Sequence, residues 1–220
     1  MSSNKSRRRG AATIDLVLCA AHGGRLHVLV VKSAGGAPVL PYTWSDEDEG
    51  LEQSARDLAR DLTGHPVAWL AAGVTTASRR HPAGAALSVP FVGVVGPGVT
   101  AAGGAVWYPV DALPALAPRQ KAMAESALDT LRLHMDVAPV AFRLLASTFT
   151  LSDLQQAYEL LLGRRLHKAS FRRALQAAYL VEPTDAWRSE GRGRPAQLFR
   201  YSPRKRRGGH RSVRFDLIGR

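Results

Sequence analysis

The hydrophobic pattern of this chain changes period once, and that change limits what it can fold into. Up to about residue 135, short apolar runs of strand character are interrupted by two amphipathic helical stretches. After residue 139, three closely spaced helical stretches come first and two short strand-like runs come last. Charge divides along with the pattern. Residues 1–150 hold 14 Lys and Arg against 12 Asp and Glu, a net of +2, whereas residues 151–220 hold 16 against 6, a net of +10. Most of the +12 excess therefore sits in the last third, which is where a polyanion-binding surface belongs. With 220 residues, 45% of them hydrophobic, the chain has the length and apolar surface for one large domain or two ordinary ones, which excludes a wholly disordered or fibrous protein.

In the first part, residues 12–21 read as a strand, Gly23-Gly24 as a turn and residues 25–32 as the strand pairing back. A Gly- and Pro-containing loop at 34–41 leads to the acidic run Asp46-Glu47-Asp48-Glu49 and a helix over 51–62, stopped by Gly64 and Pro66. Leu51, Ala55, Leu58 and Leu62 recur at helical spacing and are expected to form its buried face. Residues 67–76, 85–95 and 106–110 read as further strands, with Arg79-Arg80-His81-Pro82 in the loop between the first two, and 121–133 as a helix. The apolar stretches at 14–21 and 89–95 are too short for a membrane span. The basic N-terminus (Lys5, Arg7, Arg8, Arg9) does not run into a leader's apolar core, so no membrane partner and a cytoplasmic location are expected. Cys19 stands alone on an apolar strand and reads as a small core residue, and no His/Cys cluster has zinc spacing, so neither metal nor cofactor is expected.

In the last part, the helices are expected over 140–146, from Thr150 to Gly163 and over 168–178. Thr150 and Asp153 have capping-box spacing, and Leu151, Leu154, Tyr158 and Leu161 make the core face of the second helix. Strands at 180–181 and 197–201 flank a basic loop holding Arg188, Arg192, Gly193 and Arg194. Three helices followed by a hairpin is the element order of a winged helix-turn-helix, whose second motif helix enters the major groove of DNA. That helix offers Lys168, Ser170, Arg172 and Arg173. Arginine pairs bidentately with guanine, and lysine and serine serve phosphates. Phe171 and Leu175 turn inward, so Arg172 is expected to reach bases while Arg192 and Arg194 on the wing hold the backbone. For Lys168 and Arg173, solvation of a helix face is the competing reading.

Residues 40–64 resemble the box of the Nudix family, Gly-x5-Glu-x7-Arg-Glu-U-x-Glu-Glu-x-Gly-U with U aliphatic. Anchored on Thr63-Gly64, the box puts its first Gly on Thr43, its first Glu on Glu49, its Arg-Glu pair on Asp57-Leu58 and its Glu-Glu pair on Asp61-Leu62. The carboxylates of such a helix hold Mg²⁺ against a diphosphate. Here Leu58 and Leu62 occupy two of those positions, and shifting the register by one residue brings Arg60 into the set instead. Leucine cannot bind a hard cation and arginine opposes one. The resemblance therefore implies the Nudix fold, an α/β/α sandwich with a mixed sheet, while the residues predict no catalytic and no metal site.

With the second domain added, the chain resembles NrtR and its relatives, the Nudix-related transcriptional regulators of NAD metabolism. The carrying runs are Phe149-Thr150-Leu151-Ser152-Asp153-Leu154-Gln155, Tyr158-Glu159, Leu162-Gly163-Arg164, Phe171-Arg172-Arg173 and Gly191 to Arg200. The resemblance implies an α+β chain with a basic disordered N-terminus (1–11), a Nudix-like effector-sensing and dimerisation domain (12–136), a winged helix domain (140–202) and a basic tail (203–220). It implies a homodimeric repressor of double-stranded operator DNA that responds to ADP-ribose or another nucleotide-like metabolite. A comparable Arg-Asp-Pro loop lies near the ligand pocket in such proteins. Arg79, Arg80 and the surviving acid Glu49 are therefore the expected effector residues, with an exposed hairpin tip as the other reading of the two arginines. A diverged Nudix hydrolase of ADP-ribose and an RNA-binding adaptor are the alternatives, separable by turnover assay and by competition between duplex DNA and RNA.

Overall fold

The computed structural model describes residues 12–46, 48–135, 139–189 and 195–202. The expected terminal segments, Arg192 and Arg194 lie outside these residues. Among the described residues the chain divides into two compact units, one from 12–20 with 26–130 and the other from 21–25 with the described residues after 130.

The sheet of the first unit grows from β1 (Ala12–His22), which pairs with neighbours on both sides and is buried from Thr13 to Ala20. A strand covered on both faces reads as a nearly continuous apolar run, which is why 14–21 looked unbroken in sequence. Gly23 and Gly24 both have positive φ (53° and 74°), as a tight turn into β2 (Arg25–Lys32) requires. The expected loop at 34–41 contains the two-residue β3 (Pro38–Val39), and β4 (Tyr42–Trp44) follows it. After α1 (Leu51–Thr63) come β5 (Trp69–Ala72), β6 (Leu87–Val94) and β7 (Val106–Pro109), then α2 (Pro118–Met135). The strand order is β3-β2-β1-β6-β5, with β4 also paired to β1 and β7 to β2. β1 and β6 run parallel from Ala12↔Leu87 to Cys19↔Val94, whereas β4, β5 and β7 pair antiparallel, so the seven-stranded sheet is mixed.

Alternation along β1 assigns its two faces. Ile14, Leu16, Leu18 and Ala20 join Leu29, Phe91 and the α1 residues Ala55 and Ala59 in one core. Thr13, Asp15, Val17 and Cys19 face the other way, where Gln120 of α2 meets Asp15. Burial pushes the Cys19 thiol up to about 12, which keeps it an inert core group. The buried face of α1 differs from the expected one. Ser54, Ala55, Ala59 and Thr63 are buried, Leu58 and Leu62 pack partly against the core, and Leu51 is exposed. Small residues let the helix lie close to the sheet, so the large leucines flank the contact instead of filling it.

The second unit contains α3 (Val140–Arg143), β8 (Thr148–Phe149), α4 (Leu151–Leu162), α5 (Lys168–Ala178), β9 (Val181–Arg188) and β10 (Ala196–Tyr201). α3 is shorter than expected, and β8 was not foreseen. The three strands pair in the order β8-β10-β9. The core is largely aromatic. Phe142 packs edge-on to Phe149 and Tyr158 (centroids 5.7 and 6.3 Å) and tilted to Tyr201 (4.5 Å), and Tyr158 meets Phe171 at 5.6 Å. Leu154, Leu161 and Leu175 complete it. Arg188, expected in the loop, ends β9 and binds Asp153 Oδ1 at 2.8 Å.

Candidate nucleic-acid interface and effector site

The interface is built outward from α4. Its capping box forms as the spacing predicts: Thr150 Oγ1 accepts from the Asp153 amide at 3.1 Å, and Asp153 Oδ2 accepts from the Thr150 amide at 2.8 Å. Burial raises the Asp153 carboxyl, but the Arg188 guanidinium and the Thr150 donors outweigh it and hold the group below its ordinary range. At the other end Gly163 (φ 67°) closes the helix in the left-handed conformation.

The turn between α4 and α5 is organised by Glu159. Its Oε1 accepts from the Leu166 amide and from Gln155 Nε2, both at 2.9 Å, and its Oε2 accepts from Arg165 Nη1 at 2.9 Å. Gln155 Nε2 also donates to the Leu166 carbonyl at 3.0 Å. Here too burial pushes the carboxyl up, and the Leu166 amide, Gln155 and Arg165 bring it below its ordinary range. One carboxylate thus fixes both the path of the turn and the start of α5.

On α5, Phe171 and Leu175 are buried, which fixes the helix phase. Lys168, Arg172 and Arg173 are exposed, and Ser170 is half-buried with its Oγ 3.2 Å from His167 Nδ1. With 3.6 residues per turn, Arg173 sits about opposite the Phe171–Leu175 face and Arg172 on its flank. Gln176 and Ala169 are exposed on the same outward side, and sequence reading did not single them out. Their signal was the same helical period that selected the arginines. Trp187 on β9, more than half exposed at 56%, was also missed. Next to it, Arg188 turns to α4, so the strand's alternation points Trp187 to the opposite face.

In the first unit the expected effector residues lie on two elements. Glu49, half-buried just before α1, accepts from Ser54 Oγ at 2.8 Å and so closes onto its own helix. The box helix turns its other charges to solvent in local pairs, Arg56 with Glu52 (2.6 Å) and Arg60 with Asp57 (3.2 Å). Arg79 and Arg80 are exposed, and neither has an ion-pair partner among the described residues. Arg79 carries a left-handed backbone, φ 62°.

Beneath these arginines lies a buried polar network that sequence reading missed. Asp15 Oδ1 accepts from His81 Nε2 at 2.8 Å and from Gln120 Nε2 at 2.9 Å, and its Oδ2 accepts from Thr13 Oγ1 at 2.9 Å. The Ala83 amide donates to His81 Nδ1 at 3.1 Å, which leaves the ring proton on Nε2, facing Asp15. Tyr42 packs edge-on against His81 at 5.0 Å. Gln120 also holds Leu40, accepting from its amide at 2.9 Å and donating to its carbonyl at 3.1 Å.

Among the described residues, no helix is long and apolar enough to cross a membrane. Residues 141–201 match the NrtR DNA-binding winged helix domain family. The ADPR responsive transcriptional repressor NtrR of Acinetobacter baylyi is 44% identical over 59 residues, which is 27% of this chain and only 23% of that protein's length. The Shewanella oneidensis NrtR solved in complex with a 27mer DNA is similar over 88% of this chain and 94% of its own, at 28% identity and a TM-score of 0.75. A MutT/nudix family protein of Enterococcus faecalis, at 16% identity and a TM-score of 0.69 over 91% of each chain, shares the fold alone. The architecture is therefore the expected α+β one: a Nudix-like mixed sheet with helices, followed by a winged helix domain.

Proposed function

We propose that this NrtR-like chain, a Nudix-like domain ahead of an NrtR winged helix domain, is a DNA-binding transcriptional repressor that senses ADP-ribose or a related nucleotide. The observation that carries the reading is α5, a helix with two buried anchors and with Lys168, Arg172 and Arg173 exposed, inside the segment that matches the NrtR DNA-binding domain. Whole-chain similarity to an NrtR solved on DNA supports it, as does the name of the Acinetobacter relative, which describes that protein as ADPR-responsive. Lys168 and Ser170 hold phosphates at the start of the helix, Arg173 reaches base edges in the groove, and Arg172 on the flank lies beside the backbone. Arg192 and Arg194, outside the described residues, add phosphate contacts. Operator DNA with two-fold symmetry calls for a homodimer.

The Nudix-like domain binds its nucleotide without cleaving it, and needs neither cofactor nor metal. Arg79 and Arg80 present two exposed guanidinium groups to a diphosphate. The box helix supports the non-hydrolytic reading, because Glu49 is engaged by Ser54 while Leu58 and Leu62 stand where oxygen ligands are needed. Action in the cytoplasm on genes of NAD metabolism accords with the family resemblance. Selecting bound fragments from genomic DNA by the full-length protein, with and without ADP-ribose, tests the proposal. A recurrent near-palindromic site released or tightened by ADP-ribose is expected, and binding to RNA in preference to duplex DNA overturns it.

A further inference from the structure

Arg119, in the first turn of α2, is only 4% exposed, yet its hydrogen bonds go to backbone carbonyls and a hydroxyl instead of to a carboxylate. Nε donates to the carbonyls of Ser78 (2.9 Å) and Arg79 (3.0 Å). Nη1 donates to the Ala85 carbonyl (2.8 Å) and Ser88 Oγ (3.2 Å). Nη2 donates to the carbonyls of Arg79 (2.7 Å), Ala77 (3.0 Å) and Ala86 (3.5 Å). A single planar fork therefore ties both arms of the loop 77–86 together. From inside, His81 pins the loop's centre to Asp15.

A buried guanidinium is costly, and carbonyl dipoles compensate it less than a carboxylate would. A hairpin needing only stability is closed more cheaply by turn residues. What this clamp does hold is the least favourable backbone in the loop, since Arg79, at φ 62°, receives two of the fork's donors on its carbonyl. Between the clamped carbonyl of Arg79 and the pinned ring of His81 stands Arg80. The two arginine side chains thus project into solvent from a backbone held on both sides of Arg80.

We propose that Arg119 is the positioning residue of a diphosphate-binding loop: its fork preorganises the Arg79-Arg80 backbone so that both guanidinium groups meet the diphosphate of a nucleotide such as ADP-ribose. The inference rests on the effector reading above and assigns the residue that makes the loop competent. Arg119 touches no ligand itself. It acts through the carbonyl of Arg79, and Lys, with the same charge but no fork, cannot replace it.

The test is a double-mutant cycle on the full-length protein, Arg119→Lys against Arg79→Ala, read by calorimetric titration with ADP-ribose. Each single change is expected to weaken binding at least tenfold, and the double variant to bind no worse than the weaker single. Penalties that multiply in full, or an Arg119→Lys protein that binds as wild type does, overturn the proposal, because a merely stabilising Arg119 would act independently of the Arg79 side chain. Amide exchange keeps the two readings apart. If the wild-type chain fails to bind ADP-ribose, the effector reading fails, and the clamp still predicts faster exchange across 77–86 in Arg119→Lys. Unchanged exchange there refutes the clamp. Should Arg119→Lys not fold, the wild-type protein carries the test: the amides over 77–86 are expected to be protected already without ADP-ribose, and fast exchange there that only ADP-ribose slows refutes the proposal.

Discussion

At the scale of single residues, the helix phase of α5 separates the two adjacent arginines. Phe171 and Leu175 point into the core, which leaves Arg173 outermost and Arg172 on the flank. Arg173→Ala should cost about 1–3 kcal/mol on operator DNA and flatten discrimination against random duplex. Arg172→Ala, on the flank beside the backbone, should weaken both duplexes by similar factors. Affinities measured on the two DNAs decide it, and the reverse pattern returns base reading to Arg172, where sequence phase alone had put it. Residue types on helix faces were legible because period and composition are local. The Asp15–His81–Gln120 network was not, since its members stand 66 and 105 positions apart and each looks ordinary where it stands. Asp15 lay inside an apolar run, and only the fold shows that three donors surround it. Arg119 hid for a related reason. A single basic residue at a helix start carries no sign that its partners will be the carbonyls of a distant loop.

Among the elements, those with end signals were found nearly to the residue. Gly23-Gly24, Gly64, the Thr150 box and Gly163 mark real turns and caps, and α5 spans the expected residues. The strands β3, β4 and β8 are two or three residues long, too short for any period to show. The buried face of α1 was misread because periodicity weighs size, whereas close packing on the sheet selected Ser54, Ala55 and Ala59. For that helix, no Mg²⁺-dependent cleavage of ADP-ribose above background is expected, measured as released AMP. Turnover abolished by Glu49→Gln would show a working site. Two carboxylates of α4 titrate. Asp153 and Glu159 both ionise more readily in the folded chain than they ordinarily do, so the stability they contribute is present above the ordinary carboxylate range and lost as pH falls through and below about 4. Glu159→Gln keeps an acceptor for the Leu166 amide but removes that charge, so thermal melts of this variant should fall less steeply with acid than those of the native chain.

On the scale of the whole molecule, charge and topology set separate expectations. A dimer offering Lys168, Arg172, Arg192 and Arg194 twice neutralises roughly 6–8 phosphates, for a log–log salt slope of about −5 to −7 on B-DNA. Titration at several ionic strengths measures it, and salt-insensitive binding contradicts the interface. The two-part division was legible from charge and period because each is a property of long stretches. The order of sheet pairing was not, because strand sequence does not state its partner. That order has a consequence for synthesis. β1 is made before its parallel neighbour β6, which lies 75 positions later at the Thr13–Ser88 contact. Closing so long a loop is slow and repays nothing until it is done. The β6 edge of β1 must therefore wait unpaired while α1 and β5 are translated, exposed to proteases and to neighbouring nascent chains. A ribosome-bound chain halted before Val94 has emerged should be cut readily within β1, and one released a little further along should resist.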